Sequence, residues 1–112
     1  MSDCIFCRIV AGEIPSKKVF EDGRIFAFED ISPKAPTHVL VVPREHIGRL
    51  SDVSPAEEPL LGALAARAAA IARSRGLSDY RLVVNNGEGA GQSIFHLHFH
   101  LLGGRAMSWP PG

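Results

Sequence analysis

Neither sign of charge is in excess in this chain. Twelve Lys and Arg stand against twelve Asp and Glu, for a formal net charge of zero. That balance excludes the basic field used for nonspecific nucleic-acid binding and a polybasic membrane patch. A small anionic ligand needs only a few local donors and stays open. No apolar run approaches the length of a membrane span. The start, Met1-Ser2-Asp3-Cys4, is acidic and lacks the apolar region of a secretory signal. A soluble cytoplasmic protein is the expectation. Cysteine is scarce: Cys4 and Cys7 alone, in C-x-x-C spacing. In a cytosolic chain that spacing indicates metal or redox chemistry more often than a structural disulfide. A thioredoxin-like motif should follow a strand, and nothing precedes Cys4, so metal is the better reading, with its other ligands supplied from elsewhere. With 112 residues and 46% hydrophobic content, the chain is expected to form one domain over residues 1–112, small enough to gain from oligomerisation.

What the chain does have is a cluster of histidines. Three of its five stand at every second position in His96-Leu97-His98-Phe99-His100-Leu101-Leu102. Successive strand residues point to opposite faces, so a strand sets the three imidazoles side by side and sends Leu97, Phe99 and Leu101 into a core. A helix would scatter them. Imidazole titrates nearest neutrality of all side chains, which makes such a row a candidate for chemistry or metal binding. A half-exposed strand with histidines facing water gives the same alternation. One metal held by all three is a further reading, but same-face strand positions are ~7 Å apart, so three rings converge only with distortion.

The remaining pattern predicts a mixed order of elements. Residues 4–12 suit a helical turn, with Ile5, Phe6 and Ile9 on one side and Gly12 as its stop. Residues 17–21 and 24–29 flank Asp22-Gly23 as a hairpin. Ile31 to Pro36 is a loop, because two prolines forbid regular pairing. His38 to Pro43 is a β-branched apolar run suited to a central strand. Ser54-Pro55-Ala56-Glu57 has the form of a capping box opening a helix over 55–75, whose stripe is Leu60, Leu61, Leu64, Ala68, Ile71 and Ala72. Pro59 fits that helix badly and predicts a separate or kinked first turn. Strands are expected over 80–85 and 94–102. The fold class is α+β, a five-stranded, mainly antiparallel sheet with one long helix and a short N-terminal helix.

Between the last two strands lies Asn86-Gly87-Glu88-Gly89-Ala90-Gly91-Gln92-Ser93. Glycines let backbone N–H groups approach an anion closely, and Gln92 and Ser93 add side-chain donors. Turn chemistry explains the glycines equally well. Their closeness to His96 is what favours a phosphate site.

The stretch His-Leu-His-Phe-His-Leu-Leu resembles the His-x-His-x-His-x-x signature of the histidine triad superfamily. The resemblance covers nearly the whole chain: Asp30-Ile31-Ser32-Pro33, Pro36-Thr37-His38 with the following Val-Leu-Val-Val-Pro, Asn85, Gly91-Gln92-Ser93, and Leu102-Gly103-Gly104-Arg105 through Trp109-Pro110-Pro111-Gly112. That tail looks like the Hint branch, the nucleoside phosphoramidases. The sister branch of dinucleoside polyphosphate hydrolases lacks it. A non-catalytic nucleotide-binding or scaffolding protein is the rival from another class.

The resemblance implies that His98 attacks the α-phosphorus of a nucleoside 5′-phosphoramidate, with the His96 carbonyl holding its second nitrogen. A neutral imidazole is competent for this when one nitrogen is free. It also implies that His100 contacts the phosphate, Asn85 and Ser93 donate further, Ser93 assists the leaving group, and His38 supports the histidines. Ile5, Phe6, Ile9, Phe28 and Ile31 match positions for a purine base, and Asp30 the acceptor of the ribose hydroxyls. The apolar residues read equally as core, and Asp30 as a loop cap. Some triad relatives, among them galactose-1-phosphate uridylyltransferases, hold zinc on a C-x-x-C pair and two histidines. Cys4, Cys7, His46 and His96 match that set and imply a closed, structural Cys2His2 zinc site. The alternative is two thiols on a mobile end. Trp109 lies in a tail that, by the same resemblance, reaches the active site of a second subunit in a homodimer, with the long helix and its adjoining strand at the interface.

Overall fold

The computed structural model describes residues 3–112. Helix α1 (Ile5–Val10) is followed by strands β1 (Lys18–Glu21), β2 (Ile25–Glu29) and β3 (Thr37–Pro43). Helix α2 (Glu58–Ser74), β4 (Tyr80–Val83) and β5 (Phe99–Gly103) complete the fold. The strands form one antiparallel sheet in the order β1-β2-β3-β5-β4. This is the expected α+β architecture. No helix among the described residues is long and apolar enough to cross a membrane.

Asp22 closes the β1–β2 hairpin, its carboxylate accepting from the N–H groups of Arg24 and Ile25 at 2.8 Å each. Strand β3 sits centrally and is buried along its whole length, as a β-branched apolar run dictates. On one face Val39, Val41, Phe99 and Leu101 pack with Leu60, Leu64, Ala68 and Ile71 of α2. On the other, Phe26, Phe28, Leu40 and Val42 pack with Phe6 and Ile9 of α1. Period-two alternation therefore sends each strand's side chains to two different layers.

Pro59 acts as its awkward position requires. Pro55–Glu57 forms a separate 3-10 turn, and α2 proper opens at Glu58 with the proline in its first turn, where the missing N–H costs nothing. The Glu57 carboxylate accepts from the Ser54 N–H at 2.9 Å. Gly76 ends α2 at φ +70°, the left-handed conformation favoured by glycine.

Two expected boundaries are corrected. The fourth strand ends at Val83 rather than 85, and the fifth begins at Phe99 rather than 94. Residues 94–98 run beyond the edge of the β3 ladder, whose last pair here is Val41 with Phe99. Pro43 ends β3, and the chain turns off through His46 and Ile47. The 94–98 segment instead bonds to that turn, the Leu97 N–H donating to the Ile47 carbonyl at 2.6 Å. The histidine row thus starts off the sheet and enters it only at His100. Leu97, Phe99 and Leu101 still enter the α2-side core.

Candidate active site and metal centre

All four candidate-site histidines on or near the sheet are neutral by environment, and their partners assign their protons. His96 is fully buried. Its Nε2 lies 2.8 Å from the Pro43 carbonyl, which can only accept, so Nε2 carries the proton. Nδ1 is left with a lone pair and faces Cys4 Sγ at 3.3 Å and Cys7 Sγ at 3.5 Å. His46 Nδ1 is 3.4 Å from Cys7 Sγ. The four donor atoms lie within 4.8 Å of one another. Two sulfurs and two imidazole nitrogens are a tetrahedral zinc set, and a ligand histidine whose other N–H is held by a carbonyl is the usual supporting arrangement. The residues fit the metal.

His98 has the opposite tautomer. Its Nδ1–H donates to the His96 carbonyl at 2.7 Å, so Nε2 bears the lone pair. The ring is buried edge-on to Phe6, centroids 5.1 Å apart, and to His100 at 4.9 Å. Burial pushes its pKa below the usual histidine value, opposed by the His96 carbonyl and the charge of Asp30.

His38 and His100 are diagonal neighbours across β3 and β5, since His38 pairs with Leu102 and Leu40 with His100. The Lys34 backbone N–H donates to His38 Nδ1 at 3.0 Å, which puts the His38 proton on Nε2. That nitrogen is 2.9 Å from His100 Nδ1 and 3.4 Å from the Asp30 carboxylate. His100 Nδ1 accepts, and its own proton sits on Nε2. Burial, then repulsion from His98 and His38, pushes the His100 pKa down to about 4. Burial likewise lowers His38 and His96. Side by side, then, stand a nitrogen with a lone pair on His98 and a neutral N–H donor on His100.

The surroundings divide the other candidate residues. Phe6, Ile9 and Phe28 are buried in the α1-side core, with Phe6 edge-on to Phe28 at 5.4 Å, and core packing accounts for them. Ile5 is 41% exposed and Ile31 97%, which core packing does not explain. Asp30 serves as the expected loop cap, one oxygen accepting from the Ser32 N–H at 2.8 Å, while its other oxygen faces His38. Asn85 approaches Gly91, where a Cβ would come 3.9 Å from its amide nitrogen. Ser93 is exposed and lines a cavity of about 660 Å³ with Cys4, Ile5, His46 and Phe95. Trp109 is 81% exposed and joins neither core cluster.

Gln92 is a correction. Its side chain was expected among the phosphate donors, yet it is buried and spent on main-chain bonds. Its oxygen accepts from the Gly87 N–H at 2.8 Å, and its amide donates to the Gly48 and Ile94 carbonyls at 2.9 and 3.1 Å. It pins the glycine loop. Partners the sequence does not display are main-chain groups: the Lys34 N–H and the carbonyls of Pro43 and Ile47. Such groups carry no side-chain signal.

Comparison with known proteins agrees with this geometry. The HIT domain family matches residues 11–107, and the chain belongs to that family. It is 48% identical over 115 residues to a 14 kDa zinc-binding protein of Zea mays, covering 99% of this chain and 89% of the relative. A HIT family hydrolase from Legionella pneumophila superimposes with a TM-score of 0.95 at 51% identity, covering 98% of this chain and all of the other. A histidine triad protein from Clostridium difficile gives a TM-score of 0.93 at 41% identity over 96% of each chain. The fold is that of HIT family hydrolases.

Proposed function

We propose that the chain is a Hint-branch phosphoramidase, binding purine nucleoside 5′-phosphate derivatives and hydrolysing the P–N bond of nucleoside 5′-phosphoramidates. The observation that carries this reading is the His98 tautomer: Nδ1–H is committed to the His96 carbonyl, leaving Nε2 as the nucleophile. His98 Nε2 attacks the α-phosphorus. A P–Nε2 bond forms as the bond to the amine breaks, and the amine leaves carrying a proton taken from solvent and relayed through the exposed Ser93 hydroxyl. His100 donates its Nε2–H to a phosphate oxygen where negative charge grows. Water then attacks the nucleotidyl-His98, loses a proton to solvent, and releases the nucleoside monophosphate and a neutral imidazole. Asn85 and the Gly91 and Ser93 backbone supply further donors. Asp30 accepts from the ribose, and Ile5 and Ile31 flank the base.

Zinc bound at Cys4, Cys7, His46 and His96 would tie α1, the turn after β3 and the 94–98 segment together. With all four positions filled by protein, it leaves no open coordination site for chemistry. The name of the maize relative supports this assignment. A cytoplasmic location would keep both thiols reduced and able to bind it. The exposed Trp109 supports a homodimer in which the tail docks on a second subunit.

The test is AMP release from adenosine 5′-phosphoramidate by the native protein and by His98→Ala. Turnover by the first alone supports the reading. Faster cleavage of a diadenosine polyphosphate would move the protein to the sister branch. AMP binding without turnover of either substrate would make it a nucleotide-binding module.

A further inference from the structure

We infer that the metal cluster positions the nucleophile, with His96 as the joint between them. The inference rests on His98 being the nucleophile. Among the described residues, His96 alone belongs to both sites: its ring is a cluster member and its carbonyl holds His98 Nδ1–H. It acts through another group and is a positioning residue.

The argument lies in how the 94–98 segment is held. It has no ladder partner, and among the described residues three anchors hold it. Gln92 donates to the Ile94 carbonyl, Leu97 donates to the Ile47 carbonyl, and the His96 ring is pinned at both ends. Two of these anchors meet at one corner, since Ile47 follows His46, itself a cluster member. Without a metal the cluster end of the His96 ring rests on sulfur contacts of 3.3 and 3.5 Å, which are weak. A bound zinc replaces them with short bonds to four residues drawn from three separate parts of the chain. It thereby fixes the His96 peptide, and with it the carbonyl that dictates the His98 tautomer. A merely structural metal would raise stability and leave that tautomer alone.

Loading should therefore change the chemical step more than substrate binding. The experiment compares zinc-loaded protein with protein stripped by chelation under reducing conditions. It reads the His98 tautomer by ¹⁵N NMR and the kinetics on adenosine 5′-phosphoramidate. The loaded form should show His98 wholly protonated at Nδ1, and the stripped form an exchanging mixture. On stripping, kcat should fall about 10-fold or more while KM stays within about twofold. His46→Gln should reproduce stripping without a chelator, because His46 is exposed and touches the cluster rather than the nucleophile. His46→Cys should restore the loaded behaviour through a Cys3His set.

An unchanged tautomer and kcat, with only the melting temperature moving, overturns the inference. So does failure of the native protein to take up stoichiometric zinc. If the stripped protein unfolds, folded His46→Gln decides; if both unfold, the metal serves folding alone and the inference fails. Should no form turn over substrate, the proposed activity is wrong, while the NMR comparison still decides the coupling.

Discussion

The two faces of the central sheet are built from the same strands and do different work. Toward α2 the side chains of β3 and β5 are Val39, Val41, Phe99 and Leu101, closed by Leu64 and Ala68 with no titratable group among them. Toward α1 the alternate positions carry Leu40 and Val42 beside His38 and His100. The apolar face needs only close packing. The histidine face must satisfy its buried nitrogens, and main-chain groups do so for one nitrogen each of His38, His96 and His98. One strand can thus be rigid on one side and chemically exact on the other. The rigidity of the first makes the tautomers of the second definite.

That contrast breaks most sharply at His98. His98→Ala should lower phosphoramidate turnover by roughly 10⁴-fold or more, measured as AMP release, with little change in the thermal melt. Leu64→Ala tests the opposite face. It should cost about 3 kcal/mol in urea unfolding and leave kcat unchanged below the melting range, because the cavity opens on the α2 side. Gln92→Leu lies between the two. It strands the Gly87 N–H and two carbonyls, costing roughly 2 kcal/mol, and should raise KM through the loosened loop.

The last expected effect is a slope with pH. His100 has a folded pKa of about 4 against 6.5 for the ordinary group. Above 6.5 it is neutral in both states and its environment costs nothing. As pH falls from 6.5 toward 4 the unfolded chain takes up a proton that the folded site refuses, so stability declines; below about 4 this group adds no further loss. Urea unfolding at stepped pH should show a shallower decline for His100→Gln than for the native chain.

Much of this was legible in the residues. Alternation in Phe99 to Leu102, the stripe of α2 and the Asp22-Gly23 turn each reflect a local period or turn chemistry, and each element stands where those signals lie. Pro59 announced its own separate turn. The C-x-x-C pair and two distant histidines do converge. What the pattern could not carry was the end of pairing. Whether residues 94–98 find a ladder partner depends on where β3 turns away at Pro43, a tertiary fact. Gln92 departs from its expected role for a related reason: a polar side chain beside glycines can face a ligand or its own loop, and only burial decides. Asn86, which has no place in the triad pattern, accepts from the Ser51 N–H at 2.9 Å and holds the turn before α2.

The acceptor that orients His98 is a peptide carbonyl rather than a carboxylate side chain. An aspartate in that role can be erased by one codon change, whereas every amino acid at position 96 brings a carbonyl with it. Mutation there can shift the partner of His98 but never delete it. Drift at that position should therefore weaken the proposed reaction by degrees, whereas replacing His98 should abolish it.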